Sequence, residues 1–259
     1  MSDPEPNNPD PRQSAWSPPV SRIKVSGAPA GVRNLNVDGR LLVSPLQGFG
    51  QMWQKTFKVR LSGVNMTAVE VMQIWKENFQ RFQPDENRFY PTMVGIQPGE
   101  TLLIEAKVPA FPGTPSILPV ATGVMVLYAD DEMFTVMNPE GHPLSGWNTF
   151  SAYEEENCVV AQVQEQSRAS DPLYEVFFRY FGASGQQDKI WIHVLTSLAD
   201  FLGVKGQVVV TKTLIDPQVQ WSEAKNIWKN AAIRTVFYVL ATPLRWMARS
   251  GKDARGKSG

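Results

Sequence analysis

Between residues 88 and 168 the chain runs through six short apolar-alternating segments, most of them joined by tight turns. The segments are "RFYPTMVGI", "TLLIEAKVP", "TGVMVLYAD", "MFTVMNP", "WNTFSAYE" and "CVVAQVQEQSR"; the connectors include "QPGE", "DDE", "PEGHPLSG" and "EEEN". Parallel neighbours need a crossover of a dozen residues or more, so strands this closely spaced predict an antiparallel meander. In the last segment Val159, Ala161 and Val163 share one parity, whereas Gln162, Gln164, Gln166 and Arg168 share the other. One dry and one wet face predict a sheet covered mainly on one side.

What covers it flanks the meander. Before it, Trp53, Phe57, Val59 and Leu61 alternate with Gln54, Thr56, Lys58 and Arg60, which predicts a half-buried strand. Lys55 breaks the pattern and is expected near the strand's start. Then Val71, Ile74, Trp75, Phe79 and Phe82 recur at helical spacing behind a Thr67/Glu70 capping box. After the meander, Ser170 as cap with Asp171 and Pro172 opens a helical stretch. Ile190, Trp191, Val194, Leu195, Leu198, Phe201 and Leu202 then carry a long helix to Gly203. The fold class expected is α+β: a curved antiparallel sheet wrapped around a long C-terminal helix, with an extra C-terminal helical segment.

Three parts follow. Residues 1–40 are rich in Pro, Asn, Ser and Gly and are expected to be disordered. Residues 41–206 form the sheet-and-helix domain. Residues 207–259 form an extension: a strand over "QVVVTKTLI", a helical run to Thr242, and a basic disordered tail.

Composition removes several functions. Lys plus Arg equals Asp plus Glu at 25 each, which argues against nucleic acid as partner. Charge is local instead: residues 222–259 hold eight Lys and Arg against two acids, and peripheral contact with an anionic membrane is one outcome for that segment. Packing against the core is the other, and the charged face is too poorly separated to favour the membrane. The run "TVFYVLATPL" is too short to span a bilayer, which takes about 20 apolar residues. A lone Cys158 excludes a disulfide scaffold, and the acidic, proline-rich start does not read as a secretion signal, so the expected location is cytoplasmic. Two histidines and one cysteine cannot furnish a zinc site, and no phosphate loop, dinucleotide fingerprint or nucleophile elbow occurs, so no metal or cofactor is expected.

The segment "GHPLSGWNTFSAYEEENCVVAQVQEQSRASDPLY" carries a resemblance. Gly-His, a few residues, Gly, a strand, a hairpin and a second strand leading into the final helix is similar to the pattern of the bacterial and plant DUF1990 (UPF0548) proteins. These belong to the START-like, or SRPBCC, helix-grip superfamily. The resemblance covers residues 45–203. Trp147 stands where that family usually has an acidic residue, so no role of that carboxylate transfers. It implies a deep, mostly apolar cavity between sheet and helix, and no particular activity.

The function expected is therefore binding of an apolar small molecule or lipid in an internal cavity, without chemistry. Candidate lining residues are Trp53, Met93, Met125, Tyr128, His142, Trp147, Phe150 and Tyr153, with Tyr128, Tyr153 or His142 as orienting hydrogen-bond partner. Parity places Trp147 and Tyr153 opposite Phe150 unless a bulge intervenes. Two alternatives are an enzyme of the cyclase or hydratase kind using His142 or a tyrosine as acid or base, and an interaction module whose cavity is filled by its own side chains. His142, between Gly141 and Pro143, reads first as a turn residue because no Ser, Cys or Asp partner is arranged near it.

Overall fold

A computed structural model describes residues 14–25, 27–28, 31–90, 92, 94–109 and 116–242. One antiparallel sheet organises the chain. Its strands are β1 (Met52–Leu61), β2 (Asn87–Tyr90), β3 (Thr101–Pro109), β4 (Ser116–Ala129), β5 (Met133–Met137), β6 (Leu144–Glu155), β7 (Cys158–Ala169) and β8 (Val208–Asp216), in the order β2-β3-β4-β5-β6-β7-β1-β8. The meander predicted from turn spacing is β2 to β7, and β1 closes onto β7 with Phe57 opposite Val163 and Leu61 opposite Val159.

Helix α1 (Ala68–Glu77) follows β1 and starts at the predicted capping box: Glu70 N donates to Thr67 Oγ1, and Thr67 N donates to Glu70 Oε2. A short 3-10 turn, Phe79–Phe82, continues it. After β7 come α2 (Pro172–Tyr180) and the long α3 (Ala183–Phe201). The cap of α2 is Asp171 rather than Ser170: its Oδ1 accepts from Leu173 N and Tyr174 N, and the fixed φ of Pro172 starts the first turn.

The inner face of the sheet, α1, the 3-10 turn and α3 share one core. Phe150 is its hub: it stacks on Phe134 at 4.5 Å and meets Trp75, Phe79 and Trp191 edge-on at 5.3–5.6 Å. Edge-to-face pairing suits the ring quadrupoles. All five rings are nearly or fully buried. Around Phe150, where an apolar guest was expected, these rings fill the space between sheet and α3.

The outer face is covered too. The segment expected to be disordered is described from Ser14 onward, with Ser26, Pro29 and Ala30 excepted, and it lies over the sheet. Ile23 and Val37 pack with Leu103 and Met125 in a second apolar cluster. Ile23 and Val37 anchor a segment whose average composition is polar, and composition alone hides such anchors. The C-terminal extension joins the same body. β8 pairs with β1 along the sheet edge. A 3-10 helix, Trp221–Lys229, leads to α4 (Ala231–Leu240), capped by Asn230 Oδ1 on Ile233 N. β4 starts six residues earlier than its apolar alternation indicates, and β5 begins to pair only at Met125. At the uncovered edge, Ala121 N donates to Thr235 Oγ1 of α4, and Ala121 O accepts from Asn36 Nδ2. The extension thereby satisfies backbone groups that would otherwise be buried unpaired.

Candidate functional site

The alternation of β1 turns Trp53, Lys55, Phe57, Val59 and Leu61 to the inner face. Lys55 is therefore no strand-end exception. It is 4% exposed and points at the first turns of α3. Its ammonium donates to Asp188 Oδ1 at 2.9 Å, Gln187 Oε1 at 3.1 Å and Ser184 Oγ at 3.2 Å. Lys212 of β8 takes the other oxygen of Asp188.

On β7 the dry parity of Val159, Ala161 and Val163 runs on into Glu165 and Ser167. Glu165 is 1% exposed. Its carboxylate accepts from Ser167 Oγ at 2.6 Å, Gln187 Nε2 at 2.7 Å and Trp191 Nε1 at 3.1 Å. Gln187 thus joins the two charged centres, accepting from Lys55 and donating to Glu165. Burying a carboxylate on neutral donors carries a desolvation cost of several kcal/mol, by order of magnitude, that an apolar side chain of the same volume avoids. A charged cluster at one end of an otherwise apolar interior is the feature least explained by packing.

Beside this cluster lies a cleft of about 220 Å³. Lys55, Glu165, Ser167 and Gln187 form its inner wall, and Trp53 and Phe178 add aromatic surface. Glu175 and Arg179, an ion pair one turn apart on α2, also border it. Arg168, of opposite parity, sends its guanidinium to Gly50 O and Gln218 O, both at 3.0 Å, and to Asp216. It staples β8 and the chain before β1 to β7.

The structure separates the residues expected to line one cavity. Trp53 borders the cleft. Phe150 is the centre of the filled core, and Met125 belongs to the outer cluster. Tyr128 packs on Trp16 at 4.8 Å and donates its hydroxyl to Asp130 Oδ2. Trp147 and Tyr153 lie on the face opposite Phe150, half-buried, with Lys58 Nζ 5.5 Å from the Tyr153 ring. No register shift interrupts β6 against β5 or β7, so nothing turns these two inward. Met93 lies outside the described residues.

His142 sits in the turn between β5 and β6, where its backbone N donates to Pro139 O. Its ring Nδ1 accepts from Leu144 N at 3.1 Å. Burial brings the imidazole down to about 4, against a smaller raising effect of the Leu144 carbonyl oxygen, 3.0 Å from the same Nδ1. His142 does not border the cleft. The two glycines of the Gly-His…Gly pattern are positions of close approach. A Cβ on Gly141 (φ +86°) would stand 1.9 Å from Lys229 O, and one on Gly146 (φ +149°) 2.1 Å from Gln166 O.

Neither Lys55 nor Glu165 is among the candidates the sequence supplied: Lys55 is expected near the strand's start, and Glu165 is placed on neither face. The signal was present: both stand in the dry register of an alternating strand, where an ionised group requires a partner.

No family model and no curated protein matches the chain. Among solved structures, protein Ms6760 from Mycobacterium smegmatis is similar at 12% identity and a TM-score of 0.40, over 58% of this chain and 90% of that one. A START superfamily protein from the same organism is similar at 16% and 0.39, over 60% and 98%. The di-domain ARO/CYC StfQ of the steffimycin biosynthetic pathway is similar at 8% and 0.45, over 59% and 51%. The strand order, with β1 closing onto β7 and the long α3 held against the inner face, agrees with the α+β class expected from the sequence. The narrower resemblance to DUF1990 has no family-model support.

Proposed function

We propose that this domain binds a small molecule carrying a hydrogen-bond donor, an amine or a hydroxyl, in the polar cleft between β1, β7 and the start of α3. One observation carries the reading: the charged donor of the inner wall and the Ser167 hydroxyl are already committed. Lys55 spends three N–H groups on Ser184, Gln187 and Asp188, and Ser167 spends its hydroxyl proton on Glu165. The capacity left is mainly that of acceptors, the remaining lone pairs of Glu165 and of Ser167 Oγ, with one N–H of Gln187 beside them. Trp53 and Phe178 offer surface for a flat apolar part. The volume falls below the roughly 300–1,000 Å³ of sites for drug-sized ligands. The guest is a small molecule, or the polar head of a larger one whose remainder stays outside. The apolar-guest version has no room in the ring-filled core.

Calorimetric titration with phenethylamine, phenethyl alcohol and dodecanoate tests this. The amine and the alcohol bind, and Ser167→Ala and Glu165→Gln each weaken them at least about fivefold, the worth of one hydrogen bond to a charged or buried group. Dodecanoate binding more tightly than either, or amine binding indifferent to both substitutions, overturns the proposal.

A further inference from the structure

Helix α4 packs with one face only. Ala231 and Thr235 are buried against β4, while Arg234, Phe237 and Leu240 line the opposite stripe, three residues apart. Phe237 and Leu240 are each 68% exposed, and on the preceding 3-10 helix Trp228 is 84% and Trp221 75% exposed. Beside the stripe runs an open groove of about 400 Å³ bordered by Leu35, Arg234, Phe237, Tyr238 and Ala241. Isolated exposed apolar groups need no explanation, but an aromatic and aliphatic stripe continuous with a groove marks an interaction surface.

The charge around it is mostly positive, and Glu140, the acid that acts on Arg40, is taken up by Lys229. Arg234 gives its Nε–H to Asn36 Oδ1, and among the described residues its terminal nitrogens take no partner. Arg40 lies close enough that burial first, and then the charge of Arg234, hold its guanidinium below the usual arginine value. Beyond Thr242 the sequence adds Arg245, Arg249, Lys252, Arg255 and Lys257 against Asp253 alone. A second copy would set these cations against themselves. A nucleic acid would meet the cations but leave the Phe237–Leu240 stripe in water. An anionic phospholipid surface takes both, with apolar side chains at the acyl boundary and Lys and Arg among the headgroups.

We infer that the exposed face of α4 docks the protein on anionic phospholipid bilayers. Arg234 at the rim of the groove takes a lipid phosphate, and Phe237 and Leu240 enter the headgroup region. Attachment is peripheral: among the described residues no helix is long and apolar enough to cross a membrane. This inference is independent of what the cleft binds.

Co-sedimentation of the full chain with vesicles of phosphatidylcholine, alone or mixed with phosphatidylglycerol, tests it. The protein is expected to pellet with the mixed vesicles and not with phosphatidylcholine alone. Phe237→Glu combined with Leu240→Glu should weaken partitioning at least about tenfold, with an unchanged circular dichroism spectrum. Removing residues 243–259 should weaken it and flatten its salt dependence. Failure to pellet with the mixed vesicles, or pelleting unaffected by the double substitution, overturns the inference. So does vesicle-free self-association that the same substitution abolishes, since it would assign the face to a second copy.

Discussion

Glu165 and His142 are both sheltered, and their surroundings treat them differently. Glu165 is a carboxylate that three donors converge on. Glu165→Ala strands Ser167, Gln187 and Trp191 in a buried site. The expected loss is about 2–4 kcal/mol, because unmet buried donors cost more than the lost bonds return. Glu165→Gln keeps an acceptor and should cost less. Urea midpoints at unchanged m-value check both; a midpoint unmoved in the alanine variant would show the cluster to be energetically idle. His142 is held neutral instead. It takes its proton near pH 6.5 in the unfolded chain and at about 4 in the folded one. The unfolded state therefore binds more protons between those values, and stability falls as pH drops through that window, by up to about 3 kcal/mol. His142→Asn should flatten that part of the stability profile relative to the parent chain; parallel profiles would contradict it. Parity was legible for Trp147, Phe150 and Tyr153, which stand as alternation places them. It was equally legible for Lys55 and Glu165, but there the residue type invites an exposed assignment and the burial comes from α3, distant in sequence.

At the scale of elements, two contacts at the start of α4 tie the C-terminal extension to the domain beyond the pairing of β8 with β1. Asp171 caps α2 with one oxygen and accepts from Asn230 Nδ2 with the other, at 2.8 Å. Asn230 in turn caps α4. Asp171→Ala should cost about 1–2 kcal/mol for the cap alone. It should also speed amide exchange at Leu173 and Ile233 together; exchange altered at Leu173 only would break the proposed link. Gly141 is the second tie, where the β5–β6 turn meets the backbone of Lys229 and Ala231 N donates to Gly141 O. Gly141→Ala is expected to destabilise by more than about 1 kcal/mol, since the left-handed backbone and the contact both exclude a Cβ. A melting temperature unchanged in that variant would contradict the contact. Elements defined by local pattern, such as α1 with its capping box and β3, β5 and β7, were readable from the sequence. Asp171 as cap was not distinguishable from Ser170 by type alone, and β4 lengthens because α4 and Asn36 cover an edge that no local alternation announces.

For the molecule as a whole, an antiparallel sheet with a long helix packed against it was written in the order of strand, helix, meander and long helix. The state of its interior was not. Whether rings leave a void or close on one another depends on how Phe134, Phe150 and Trp191 meet across three elements, and pattern carries no such distance. Here they close, and the open volume moves to the charged end of the gripped helix. Crystals soaked in turn with phenethylamine and dodecanoate test that claim most directly. The account predicts the amine in the cleft, its nitrogen against Glu165 and its ring beside Trp53 and Phe178, with the Phe150 stack undisturbed. An acyl chain lodged between the sheet and α3, parting Phe150 from Trp191, would contradict it.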